Sequence, residues 1–163
     1  MELTDLLRAF ESGDFARPNL FEVEIPFLGK NFSFKCKAAA MPPANVDKIA
    51  VGFQNRKLHV AGDRTFDDWS VTIYSDDKHQ TRQDILDWQN LCHGQGAEIS
   101  GATPADYKKT AIIRQFGRDG KTITKEYTIY GLWPTLVGEV QLDWDQNSEV
   151  ETFETTFALD YWL

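Results

Sequence analysis

The sequence predicts a mainly β fold: two packed antiparallel sheets, arranged as a β-sandwich or rolled barrel, with one flanking α-helix and a short N-terminal helix. Three observations predict it. Several separate stretches alternate apolar and polar residues, the period of a strand with one buried face. Beyond the N-terminal turns, only one long segment carries helical spacing. Aromatic residues make up 13% of the 163 positions, ample material for a packed interior. That length fits one domain spanning 1–163, able to bury roughly two thirds of its unfolded surface.

Taken in order, Leu3, Leu6, Leu7 and Phe10 recur at helical spacing and predict a short amphipathic helix that stops before Ser12-Gly13-Asp14. A helix this short is marginal alone and is expected to dock on its own domain or on a neighbour. Phe21, Val23, Ile25 and Phe27 then alternate with polar residues and Pro26, and Phe32, Phe34 and Cys36 alternate with Ser33, Lys35 and Lys37. A tight turn at Gly29-Lys30 predicts a hairpin pairing Phe27 with Phe32, Ile25 with Phe34 and Val23 with Cys36, which sets Glu24 opposite Lys35 and Glu22 opposite Lys37.

Residues 41–64 start at Met41-Pro42-Pro43 and read as a long protruding loop or hairpin. Trp69, Val71 and Ile73 predict a strand. Ser75-Asp76-Asp77 are expected to cap a helix over roughly 79–92, with Ile85, Trp88, Leu91 and Cys92 along one side. A loop with Pro104 follows. Asp119-Gly120 is a strong hairpin signal, although a simple two-residue turn would put Arg114 opposite Lys125, so a shifted register or a nearby acid is expected. Val140, Leu142 and Trp144, then Phe153, Thr155, Phe157, Leu159 and Tyr161, predict the last two strands. Trp69, Trp133, Trp144 and Trp162 are expected to pack in the core or on the sheets.

Charge narrows the function. Lys and Arg total 17 against 25 Asp and Glu, a net charge of −8 that repels the phosphate backbone and disfavours tight nucleic-acid binding. Cys36 and Cys92 lack zinc-knuckle or redox spacing, which fits a reducing compartment. Glu2, Asp5 and Arg8 interrupt the N-terminal apolar residues, and no 18 apolar residues run together, so neither a signal peptide nor a membrane span is expected.

No motif makes a convincing catalyst. Gly120-Lys121-Thr122 echoes the end of a phosphate loop, but Gln115 stands where a glycine is required and a strand follows. Gly94 and Gly96 lack the preceding strand and third glycine of a dinucleotide site. His59, His79 and His93 have no metal-ligand spacing, and Cys92 and His93 are helix neighbours about 100° apart. Asp143 and Asp145, on one side of the expected strand, lie about 6.5–7 Å apart, near the spacing of an inverting glycosidase. A solvated acidic face explains them more simply. The chain is read as a non-enzyme without cofactor or metal.

Five stretches together carry a family resemblance: Arg8–Phe21 (RAFESGDFARPNLF), Val60–Trp69 (VAGDRTFDDW), Gly131–Thr135 (GLWPT), Gln141–Asp145 (QLDWD) and Ala158–Trp162 (ALDYW). In these the chain resembles the major tail tube proteins of T4-type contractile-tailed bacteriophages, along essentially its whole length. The resemblance implies a fold shared with type VI secretion tube proteins and hexameric rings stacked into a hollow tube. Implied partners are further copies of the chain, the tail sheath, baseplate and tail-terminator proteins, a tape measure protein in the lumen, and double-stranded DNA passing without specific binding. The implied place is the virion tail, assembled in the host bacterial cytoplasm. The alternative is the tube of a tailocin or type VI-like secretion system.

Two sets of residues are then singled out. Arg56, Asp63, Arg64, Asp67 and Asp68, crowded into the 41–64 excursion and its exit, are candidates for ring stacking and inter-subunit contact. Glu22, Glu24, Glu139, Asp143, Asp145, Glu151 and Glu154 are candidates for an acidic lumen or outer face, which would let DNA slide without adhering.

Overall fold

A computed structural model describes residues 3–11, 13 and 15–163. Its order is α1 (Leu3–Glu11), β1 (Phe21–Glu24), a 3₁₀ turn (Pro26–Leu28), α2 (Asn31–Lys35), β2 (Cys36–Ala39), β3 (Asn45–Phe53), β4 (Arg56–Thr65), β5 (Trp69–Tyr74), α3 (Gln80–Cys92), α4 (Pro104–Tyr107), β6 (Lys109–Phe116), β7 (Ile123–Val137), β8 (Thr152–Ala158) and β9 (Tyr161–Trp162).

The body is mainly β, as expected, and turns on β7. This 15-residue strand pairs β6 and β9 along its N-terminal part and β8 along its C-terminal part. One antiparallel half therefore runs β1-β6-β7 and the other β7-β8-β5-β2. Edge strands β1 and β2 come close to each other, so the sheet rolls towards a barrel. Alternate residues point inward: Val23 and Ile25, Ala111 and Ile113, Ile129 and Leu132, Phe153 and Phe157, Val71 and Ile73 are all buried. Helix α3 adds Ile85 and Trp88 to the same core, and Trp88 Nε1 donates to the Tyr107 carbonyl at 2.7 Å. Expected at roughly 79–92, the helix is found at 80–92, with Leu91 more exposed than its spacing predicts.

The hairpin expected at Gly29-Lys30 does not form. Pro26 has no N–H for a ladder and opens a 3₁₀ turn; Gly29 follows at φ 81°, and residues 31–35 make one helical turn. Helical spacing separates two aromatics that a strand would have placed on one face: Phe32 is 2% exposed and Phe34 86%. β1 pairs instead with β6, Val23 opposite Ile113 and Glu22 opposite Arg114, while β2 pairs with β5. The charge match expected from Lys35 and Lys37 comes from Arg114. Its guanidinium lies 2.6 Å from Glu24, 2.8 Å from Glu126 and 3.4 Å from Glu22, bridging β1, β6 and β7 on their outer face.

The Asp119-Gly120 turn does form, with the register shift the like-charge clash demanded. Phe116 pairs Ile123, but Gln115 pairs Lys125 and Arg114 pairs Glu126. The Asp119 carboxylate accepts from the backbone N–H of Lys121 and Thr122 and from the Thr122 hydroxyl, which lowers its pKa to about 2.

Three smaller expectations change. Helix α3 is not capped by Ser75-Asp76-Asp77 side chains; His79 is the N-cap at φ 51°, and the Asp76 carboxylate is taken by Lys35 at 3.1 Å. Residues 140–145 form no strand, because Asp143 accepts the Asp145 N–H and turns the chain. Trp144 is accordingly 98% exposed rather than packed, whereas Trp69 is buried and Trp133 and Trp162 lie against the core. In α1, found at 3–11, the Leu3 and Leu7 side chains are exposed. The side chains of Leu6 and Phe10, as well as Ser12 and Asp14, lie outside the described residues.

Two predictions test these assignments. Phe32→Ala is expected to cost about 3–5 kcal/mol of unfolding free energy, and Phe34→Ala about 0.5 kcal/mol or less, by denaturant titration; the hairpin pairing would have made the two losses similar. Arg114→Ala, which leaves three carboxylates facing one another, is expected to cost about 2 kcal/mol at low ionic strength. Because the remaining penalty is repulsion between half-exposed charges, the loss should shrink in molar salt.

Candidate assembly surfaces

Strands β3 and β4 form the expected excursion as a regular two-stranded hairpin that pairs with no other strand among the described residues. Gln54 turns the tip at φ 52°. Ile49 lies opposite Val60 and Val51 opposite Leu58, so these four and Phe53 share one face. All five are 47–65% exposed. This apolar stripe went unread because the Lys, Arg and Asn residues between made the segment look polar; the alternation of Ile49, Val51 and Phe53 was the signal.

The stacking candidates separate. Asp63, Arg64, Asp67 and Asp68 gather at the hairpin root, where a register shift falls between the Val46–Arg64 and Lys48–Ala61 pairs and Asp67 accepts from Asn45 Nδ2. Arg56 sits at the tip opposite Phe53, roughly 26 Å along the strand from Arg64.

The acidic candidates fall in three places. Glu22 and Glu24 stand on the outer face of the β1–β6–β7 half around Arg114, joined by Glu126, the neighbouring acid expected for Arg114 but not named from the sequence. Glu154 lies on the outer face of β8 opposite Thr72. Glu139, Asp143 and Asp145 belong to the irregular segment 138–151, whose last acid, Glu151, lies 3.4 Å from His79 Nδ1. That segment also exposes Leu142 (81%), Trp144 (98%) and Val150 (66%). Beside it a recess of about 720 Å³ is lined by Leu136, Val137, Glu139, Gln141 and Glu154 among others.

Nothing in this geometry assembles a catalytic group. Asp143 lines a shallow recess with Leu142, Trp144 and Asn147, but Asp145 does not, and the two carboxylates do not flank a cleft. The Cys92 thiol points to the Trp88 carbonyl and burial raises its pKa, while His93 Nδ1 faces the Gly94 carbonyl, so the two make no nucleophile and base. Burial likewise pushes the Cys36 thiol up to about 11, away from the reactive thiolate. Among the described residues no three His, Cys, Asp or Glu side chains are grouped to hold a metal, and no helix is long and apolar enough to cross a membrane.

Comparison with known proteins supplies the context. The tail tube protein gp19 of Enterobacteria phage T4 is 64% identical over 162 residues, covering 99% of each chain. Among solved structures, the sheath/tube terminator of an extracellular contractile injection system superposes with a TM-score of 0.70 at 14% identity, covering 92% of this chain and 96% of that one. The sheath–tube complex of the same kind of system matches with a TM-score of 0.69 at 13% identity over 100% and 97% of the two chains, a likeness of fold. The family model described as phage tail tube protein matches residues 12–163. With a rolled β body and a projecting hairpin, and matched over nearly its whole length, the chain belongs to the phage tail tube protein family.

Proposed function

We propose that this chain, acting as one domain over residues 1–163, polymerises as stacked hexameric rings into the hollow inner tube of a contractile tail, the conduit for DNA during ejection. The observation that carries the reading is the 64% identity to a phage tail tube protein along 99% of both chains. The fold supports it: β3–β4 carries an apolar stripe that the described residues of its own chain leave exposed and that another molecule would cover. The outer wall would meet the sheath, the ends of the tube would meet the baseplate and terminator, and a tape measure protein would fill the lumen before DNA does.

Charge is the second support. Around Arg114 three carboxylates face one guanidinium, so that wall keeps an excess of negative charge, and Glu154 adds to it on the other half. Strand faces of this kind, lining a lumen, repel phosphates and leave no basic groove in which DNA would stick. At the hairpin root, Asp63 and Arg64, with Asp67 and Asp68 beside them, would hold one ring on the next, with Arg56 reaching further from the tip.

Negative-stain microscopy and light scattering on the purified protein, with and without purified baseplates, are expected to show rings or hollow tubes; a protein that stays monomeric in both conditions overturns the reading. Asp63→Arg and Arg64→Asp are each expected to shorten or abolish tubes while leaving the thermal unfolding midpoint within a few degrees. If neither single reversal changes tube length, the root charges do not stack rings.

A further inference from the structure

We infer that the exposed segment 138–151 is the seat on which the β3–β4 hairpin of a second copy docks. The inference rests on the tube reading and names the surface that receives the hairpin. Segment 138–151 has the character of an interface left open: Leu142 and Trp144 stand 81% and 98% exposed, and Leu136 (59%), at the end of β7, lines with Glu139 and Gln141 the recess of about 720 Å³. An indole presented this fully to water is costly unless something covers it.

Charge selects the occupant. Segment 138–151 holds Glu139, Asp143, Asp145, Glu149 and Glu151 and no Lys or Arg. The distal hairpin, residues 48–61, is its complement, with Lys48, Arg56 and Lys57, no acid, and the stripe of Ile49, Val51, Phe53, Leu58 and Val60. Each surface offers apolar side chains edged by charge of opposite sign.

Topology sets the two surfaces apart within one chain. The hairpin root enters β5 at Trp69, which pairs Phe157, whereas segment 138–151 rejoins the sheet at Thr152, which pairs Tyr74 at the other end of β5. The other root of the segment, Gly138, bonds to Glu154, which pairs Thr72, so its two roots lie about 10 Å and about 17 Å along β5 from Trp69. Two different patches that meet each other make a head-to-tail contact, which repeats from copy to copy instead of closing a two-fold dimer.

The test uses two full-length variants that differ in which surface is reversed. One carries Asp143→Lys, Asp145→Lys and Glu149→Lys; the other carries Lys48→Glu, Arg56→Glu and Lys57→Glu. All six positions are exposed, and circular dichroism with thermal unfolding should show both variants folded like the wild type. Alone, each sets like charge against like, and its polymerised fraction in sedimentation is expected to fall at least tenfold. Mixed one to one, the basic segment of the first accepts the acidic hairpin of the second and the unaltered surfaces accept each other, so polymer should return, with the two chains in equal amounts. Either variant polymerising alone like the wild type, or a mixture no better than its parts, overturns the docking. Wild-type protein is run alongside with purified baseplates: its failure would count against the tube reading itself, whereas its success beside a failed mixture counts only against this seat.

Discussion

Everything in the body hangs on one strand serving two sheets. β7 leaves β6 and joins β8 near Gly131, whose φ of 69° is a left-handed value that side chains resist. The space is closed as well: a Cβ there would sit 2.1 Å from the Asp160 carboxylate, which Lys108 Nζ holds at 2.8 Å. Two constraints, one of backbone and one of packing, therefore ask for glycine at the corner. Pro134 follows within the second half, beside a register shift, where a missing N–H does the ladder least harm. The roll of the sheet, the approach of β1 to β2 and the enclosure of Trp69, Trp88 and Phe157 all follow from that turn.

Polar interactions are distributed by the same logic. Inside, indole N–H groups are matched to carbonyls: Trp69 to Ala40 at 2.7 Å and Trp88 to Tyr107 at 2.7 Å. At the surface, Lys35 ties α2 to the start of α3 through Asp76 and Thr81. Burial works to raise the Asp76 carboxyl, but the Lys35 hydrogen bond and charge outweigh it and bring its pKa below the ordinary value. Arg114 is held more firmly charged than usual, first by its hydrogen bond to Glu24 and then by that to Glu126. Outside these networks stand two exposed apolar surfaces, the hairpin stripe and the Leu142–Trp144 segment.

Much of this was legible in the sequence. Period-2 alternation located β5 and β8 and the buried side of β1, helical spacing located α3, and the clash of Arg114 with Lys125 foretold the shifted register of β6 and β7. Alternation failed where local chemistry overruled it. Phe32, Phe34 and Cys36 have strand spacing, yet Pro26 and Gly29 had already bent the chain into a helical turn. Val140, Leu142 and Trp144 alternate too, but the Asp143 carboxylate accepts the Asp145 N–H and turns the chain. The assembly surfaces were half legible: charges at the hairpin root stand out in the sequence, whereas the apolar stripe exists only once the β3–β4 register brings Ile49 to Val60 and Val51 to Leu58. The full cluster around Arg114 was hidden because Glu22 and Glu24 come from β1, about 90 residues away in the chain.

The solitary hairpin also bears on timing. A two-stranded ribbon without a third strand or a helix against it has only marginal stability of its own in water. In the proposed assembly, a free copy would lose most conformational freedom at its first docking, and an end that already presents ordered hairpins would spare the next copy part of that loss. Growth of this kind has a slow start and a fast continuation. A pool of finished subunits would then persist in solution until a ready-made end appeared, so that where a tube begins is decided by what offers that end and not by how much protein has accumulated.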